Sequence, residues 1–139
     1  NITKETQGNA FAARSNTPLT DRLSSLLNTT EECRRLSGTG HTVGAMFVLD
    51  AVSVSGKLSE FSYSSDIGSE VTKVFCANCG SPIYGKNTRT PDHLTLSLGT
   101  MDNAIGLDVE VVVFERDKPH WDRLKEEVVF FATKPDWKP

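Results

Sequence analysis

Three cysteines, Cys33, Cys76 and Cys79, are few for a chain of 139 residues that sets two of them in a metal-type turn. An odd trio cannot close a disulfide framework without leaving one thiol over, so a reducing, cytoplasmic setting is expected. A surplus of positive charge is also missing. With 15 Lys and Arg against 18 Asp and Glu the formal charge is −3, and no basic surface addresses nucleic acid. Long apolar runs are absent too: "AMFVL" and "VEVVVF" fall far short of the ~20 residues that cross a bilayer. No charged-then-apolar leader opens the chain, although Asn1 is not an initiator Met and an upstream segment has room to have been removed. There is no Gly-rich phosphate loop, serine-nucleophile elbow or paired-carboxylate signature.

What is present is ordinary in amount, 37% apolar and 24% charged residues, in a chain long enough for one domain with a real core. From residue 41 to 139 the pattern is β-rich. "VGAMFVLD", "AVSVSG", "KLSEFSYSS", "EVTKVF" and "SPIYGK" read as short strands. In "HLTLSLGT", Leu94, Leu96 and Leu98 alternate with Thr95 and Ser97. "VEVVVFER" reads as a strand buried on both faces. Turn residues such as Ser55-Gly56, Asp66-Ile67-Gly68 and Thr90-Pro91-Asp92 fall between them, which predicts an antiparallel, mainly β domain.

Residues 1–40 differ. "NITKETQGNAFAARSNTP" is polar and patternless. Leu19, Leu23, Leu26 and Leu27 then stand at helical spacing, with Thr20 or Asp21 as a cap, a break at Thr29-Thr30 and a stop at Gly38, which predicts one or two short helices. The triplets Asn1-Ile-Thr3 and Asn28-Thr-Thr30 would accept glycans only in a secretory compartment.

The chemistry-bearing residues are sparse. Cys76-Ala-Asn-Cys79-Gly80 is a knuckle in which two thiolates converge on one ion, half of a tetrahedral zinc site. Taken alone, it reads equally as an empty knuckle or a redox pair, and a thioredoxin-like role would want a βαβ context that these strands do not offer. Cys33 in "EECRRLSG" has Arg34 and Arg35 beside it, which would favour a thiolate. The competing reading is a small buried residue in a short helix. His41, His93 and His120 are scattered singly, Glu126-Glu127 reads as a solvated face, and Trp121 and Trp137 as packing anchors for the tail.

Taken in order, "CRRLSG", "FSYSSDIGSEVTKVFCANCGSPIYGKN", "PDHLTLSLGTMDN", "VFERDKPHWD" and "PDWKP" resemble the glutathione-dependent formaldehyde-activating enzyme (GFA) family, which includes centromere protein V, over about Cys33 to Pro139. The resemblance implies a β-tent fold of small antiparallel sheets and carbon–sulfur lyase chemistry on glutathione adducts such as S-hydroxymethylglutathione. It also implies two zinc sites, one structural and one catalytic. The later structural pair falls on Cys76 and Cys79, and the last catalytic cysteine on Cys33. The other two catalytic cysteine positions fall on Asn28 and Thr30, and the family histidine on Thr29. The N-terminal structural pair falls near Ala10 and Ala12. The resemblance therefore implies a degenerate member: a catalytic site without zinc and a half structural site that is weak or empty. A structural zinc contributes ~10 kcal/mol or more. Burial of the four leucines at about 2 kcal/mol each would offset much of its loss, if their helix packs where zinc tied down the N-terminus.

Three functions compete. The first is a surviving lyase or isomerase with Cys33 as its catalytic centre and Arg34 or Arg35 binding a substrate carboxylate. The second is a zinc-free module that keeps the cleft for a small thiol such as glutathione or for an acidic metabolite. The third is an interaction protein, a homo-oligomer through an exposed sheet edge. No nucleic-acid or membrane partner is expected.

Overall fold

The computed structural model describes residues 11–135. Within them the chain forms β1 (Phe11–Ser15), β2 (Ser24–Asn28), the helix α1 (Glu31–Ser37), β3 (Thr42–Val48), β4 (Val52–Gly56), β5 (Leu58–Ser64), β6 (Glu70–Cys76), β7 (Pro82–Asn87), β8 (His93–Ser97) and β9 (Val111–Val113), joined by turns. The architecture is mainly β, as the alternation predicts. A seven-stranded sheet runs β5-β6-β7-β8-β3-β2-β9, and a two-stranded ribbon pairs β1 with β4. All pairings are antiparallel except β2 with β9, whose connection passes through the whole body of the domain.

A strand shows alternate residues to opposite faces, so register decides what is core and what is open. One face of the large sheet carries Ala45, Phe47, Leu94 and Leu96. With Ile83, Cys76, Ala51 and Met101 they form the core against Ala13 of the ribbon. Ala13, Ala45 and Leu96 are wholly buried. The small side chains at Ala13 and Ala45 let the ribbon sit close on the sheet. The ribbon is fastened by Asn103, whose Oδ1 accepts from the Ser15 N–H (3.2 Å) and whose Nδ2 donates to the Ser15 carbonyl (3.0 Å). The Asp102 N–H donates to the Ala13 carbonyl at 2.8 Å.

Several expectations for the N-terminal region are corrected. The leucines at helical spacing do not form a helix: Leu19–Asp21 is a single 3-10 turn, and Leu26 and Leu27 lie in β2. Between β3 and β9 the segment gains backbone hydrogen bonds on both sides, and that tertiary pairing outweighs a weak helical propensity. Its one fully buried side chain is Ser25, whose hydroxyl donates to the Asp108 carbonyl, while Leu23 is 55% exposed. The proposed compensation by four buried leucines therefore fails, because only Leu19 packs against the core. Within the supposedly patternless stretch, Phe11–Ser15 is a regular strand that pairs with β4. The second half of the prediction holds: α1 begins at Thr30 and stops at Gly38, which adopts the left-handed conformation (φ 72°) that glycine tolerates.

Two further corrections lie toward the C-terminus. β9 is an edge strand with Val111 and Val112 each 46% exposed, so its valine run reflects β propensity and not burial on both faces. Trp121 is 57% exposed and so is not a buried anchor, while Trp137 and the closing "PDWKP" from Asp136 onward lie outside the described residues, as do Asn1–Thr3 and Ala10. No helix among the described residues is long and apolar enough to cross a membrane.

The packing predicts a sharp contrast in stability. Phe47→Ala should cost about 3–5 kcal/mol, and Leu23→Ala less than about 0.5 kcal/mol, in urea unfolding. Equal losses at the two positions would contradict the register described.

Candidate functional site

Since the ribbon covers one face of the large sheet, the other face is left uncovered. It curves around a cleft of about 1090 Å³, with Gly44, Met46, Lys73, Gly85 and Thr95 on its floor and Cys33 and Tyr63 on its walls. α1 brings Cys33 to this cleft from the β2 side, and β5, near the opposite edge of the sheet, brings Tyr63. The two come close enough that the charges of Cys33 and Glu32 act on Tyr63, adding to burial, the larger cause, in pushing its phenol above the usual tyrosine range. Tyr63 therefore remains a neutral hydroxyl across physiological pH. It is a hydroxyl donor that shares the cleft with the Cys33 thiol.

The start of α1 is held by the residues just before it. The Thr30 N–H donates to Asn28 Oδ1 at 3.0 Å, and the Cys33 N–H donates to Thr30 Oγ1 at 3.3 Å, a helix cap built from two neutral side chains. Thr29 is fully buried and faces β9, where its hydroxyl donates to the Phe114 carbonyl. Phe114 sits at φ 57°, the left-handed region that a bulky residue seldom occupies, and its exit from β9 takes it to the rim of the cleft. Asn28, in a strand with its carbonyl oxygen already bonded, presents no ordinary surface loop for a glycan.

The arginines predicted beside Cys33 point elsewhere. Arg35 pairs with Glu31 one turn back, Nη2 to Oε1 at 2.9 Å, and is well exposed. Arg34 has a buried Nε without a hydrogen-bond partner. Both line a small groove with Glu31, Gly38, Thr39 and Trp121, on another side of the helix from Cys33. Adjacent positions on a helix face different directions, so sequence neighbours of Cys33 were poor candidates for site neighbours. The residues that do share the cleft, Tyr63 and Lys73, come from strands far away in sequence. Their only signal was the two-residue period of β5 and β6.

The knuckle lies at the end of β6. The Gly80 N–H donates to the Cys76 carbonyl at 2.8 Å, and Gly80 takes φ 77° to close the turn. Cys76 is fully buried in the core and Cys79 is exposed. Cys79 Sγ lies 3.2 Å from Ser81 Oγ. Bonds from the Ser81 hydroxyl, then the Ser81 backbone N–H, and a smaller one from Cys76, lower the Cys79 pKa below the ordinary thiol value.

The model of the glutathione-dependent formaldehyde-activating enzyme family matches residues 16–117, which include the cleft, α1 and the knuckle. The chain belongs to the GFA family. No curated protein matches the chain significantly. A crystal structure of a Rhodobacter sphaeroides protein resembles it at 15% identity, over 73% of this chain and 88% of that one, with a TM-score of 0.49, a likeness too slight to carry any argument.

Members of the family commonly bind zinc, and the side chains present here can be tested against that ion. Around Cys33 the donor set is one thiol with the amide oxygen of Asn28 and the hydroxyl of Thr30. Both oxygens are engaged in capping α1, and the hydroxyl at position 29 is turned away to Phe114. Zinc favours thiolate and imidazole, so this set does not fit it. At the knuckle the Cys79 thiol meets the Ser81 hydroxyl, and among the described residues no group of three His, Cys, Asp or Glu side chains could hold a metal. His41 is committed to Asp122, Nδ1 to Oδ2 at 2.7 Å.

Two measurements follow from these geometries. Iodoacetamide should modify Cys79 before the buried Cys33 and Cys76, and Ser81→Ala should slow that reaction near neutral pH. Removing the bonds that favour the thiolate raises the Cys79 pKa and shrinks the reactive fraction, so an unchanged rate would contradict the arrangement. Thermal melts with and without EDTA should coincide, and a chelator-induced drop in Tm would show that a metal contributes to folding.

Proposed function

We propose that this GFA-family chain binds glutathione or a similar small thiol, free or as an adduct, in the cleft between Cys33 and Tyr63, and that the zinc-assisted lyase step has been lost. The observation that carries the reading is the fate of the two neutral residues beside Cys33. Asn28 and Thr30 stand where the family resemblance places metal-binding cysteines, and their oxygens hold the start of α1. Adding or removing a one-carbon unit at sulfur needs stabilisation of a thiolate beside a carbonyl carbon. A metal held by three thiolates supplies that as a Lewis acid and template. Here Tyr63 offers a single hydroxyl, which can donate to a bound thiolate or carbonyl oxygen but has no open coordination position. The cleft itself is intact, ample for a tripeptide-sized ligand. An exposed thiol at Cys79 suits a reducing, cytoplasmic setting.

The test is exchange between formaldehyde and glutathione, followed by NMR with and without added zinc. Formation and cleavage of S-hydroxymethylglutathione are expected at the uncatalysed rate, while glutathione perturbs amides of the cleft. Protein-dependent acceleration that disappears in Cys33→Ser would restore a lyase and overturn the reading.

A further inference from the structure

The floor of the cleft holds one charge that the proposed thiol site does not use. The sheet register places Phe61, Lys73, Gly85, Thr95, Met46 and Ser24 in a single cross-strand row, and Lys73 is its only charged member. Its side chain does not extend from the sheet. A Cβ built on Gly85 would lie 3.3 Å from Lys73 Nζ and 3.4 Å from its Cδ, so the aliphatic stem and the ammonium both lie across the Gly85 backbone. A lysine free to choose turns its ammonium to bulk water. This one is half-buried, and among the described residues no carboxylate lies within ion-pair distance of it.

The charge around it is unbalanced in the same sense. Lys73, Lys86 and Arg89 line the cleft against the carboxylates Glu32 and Asp66, in a chain whose formal charge is −3. A positive cavity in an acidic protein concentrates small anions. Thr95, which pairs with Gly85, adds a hydroxyl that bonds to nothing among the described residues.

We propose that Lys73 is the anchor for a carboxylate of the ligand, held over Gly85 on the cleft floor, so that the site selects small organic acids. The proposal rests on the same cleft as the thiol-binding reading and specifies the other end of the ligand. One ammonium with a neutral hydroxyl beside it matches a carboxylate. A phosphate is best matched by a guanidinium fork or several backbone amides; the floor row has neither, and Arg89 in the cleft lining is exposed.

Succinate, which has carboxylates and no thiol, tests the anchor by itself in amide NMR titrations of the full chain. It should shift Gly85 and Thr95 saturably, Lys73→Met should weaken that binding about tenfold or more, and Lys57→Met, exposed and outside the cleft, should change it less than about twofold. No saturable shift, or equal affinity in Lys73→Met with its folded spectrum intact, overturns the anchor. Inorganic phosphate binding more tightly than succinate overturns the carboxylate assignment. A glutathione titration separates the two proposals. If succinate binds and glutathione does not, the thiol reading falls and the anchor stands. Glutathione binding alike to the wild type and Lys73→Met leaves the thiol reading and overturns the anchor.

Discussion

Everything in this molecule depends on the large sheet burying only one of its faces. The ribbon of β1 and β4 seats Ala13 against Phe47, Leu96 and Ile83, and that contact removes the apolar half of each central strand from water. A covering layer on the second face would turn the domain into a sandwich and abolish the cleft. No such layer exists among the described residues, so the alternate positions of β3, β6, β7 and β8 are free to be polar, small or charged. Gly44, Gly85, Thr95 and Lys73 occupy them. The core and the cleft thus lie on opposite faces of the same strands.

The helix α1 links that scaffold to the chemistry. Seven residues are too few to form a stable helix in isolation, and this one persists because Thr30 and Asn28 satisfy its first donors, Gly38 closes its end and Cys33 packs inward. The same two capping side chains stand where zinc-binding relatives are expected to carry thiolates. With these side chains serving the backbone, Cys33 is held by packing and hydrogen bonds. The sheet is fastened by side chains at its far edge as well. Ser25 and Arg22 hold Glu110 ahead of β9, and the hydroxyl of Ser25, more than the charge of Arg22, keeps that carboxyl ionised below its ordinary range.

The amino-acid sequence by itself determined the strands from β3 to β8, the turns between them, the helix between Thr30 and Gly38, and the family. Each rests on local evidence: alternation with a period of two, a capping residue, a glycine where the backbone turns left-handed, or a collinear set of motifs. It misled wherever a local pattern met a stronger distant partner. Leu23, Leu26 and Leu27 have helical spacing, yet β3 and β9 claim their backbone for a sheet, and the side chain that ends up buried is Ser25. Arg34 and Arg35 adjoin Cys33 in the chain but leave the helix in other directions. Tertiary structure alone decided that Tyr63 and Cys33 would line one cleft, and that Lys73 would lie over Gly85 with no counter-charge among the described residues. Those encounters depend on sheet curvature and on register between strands separated by many residues, and no short window of sequence contains either.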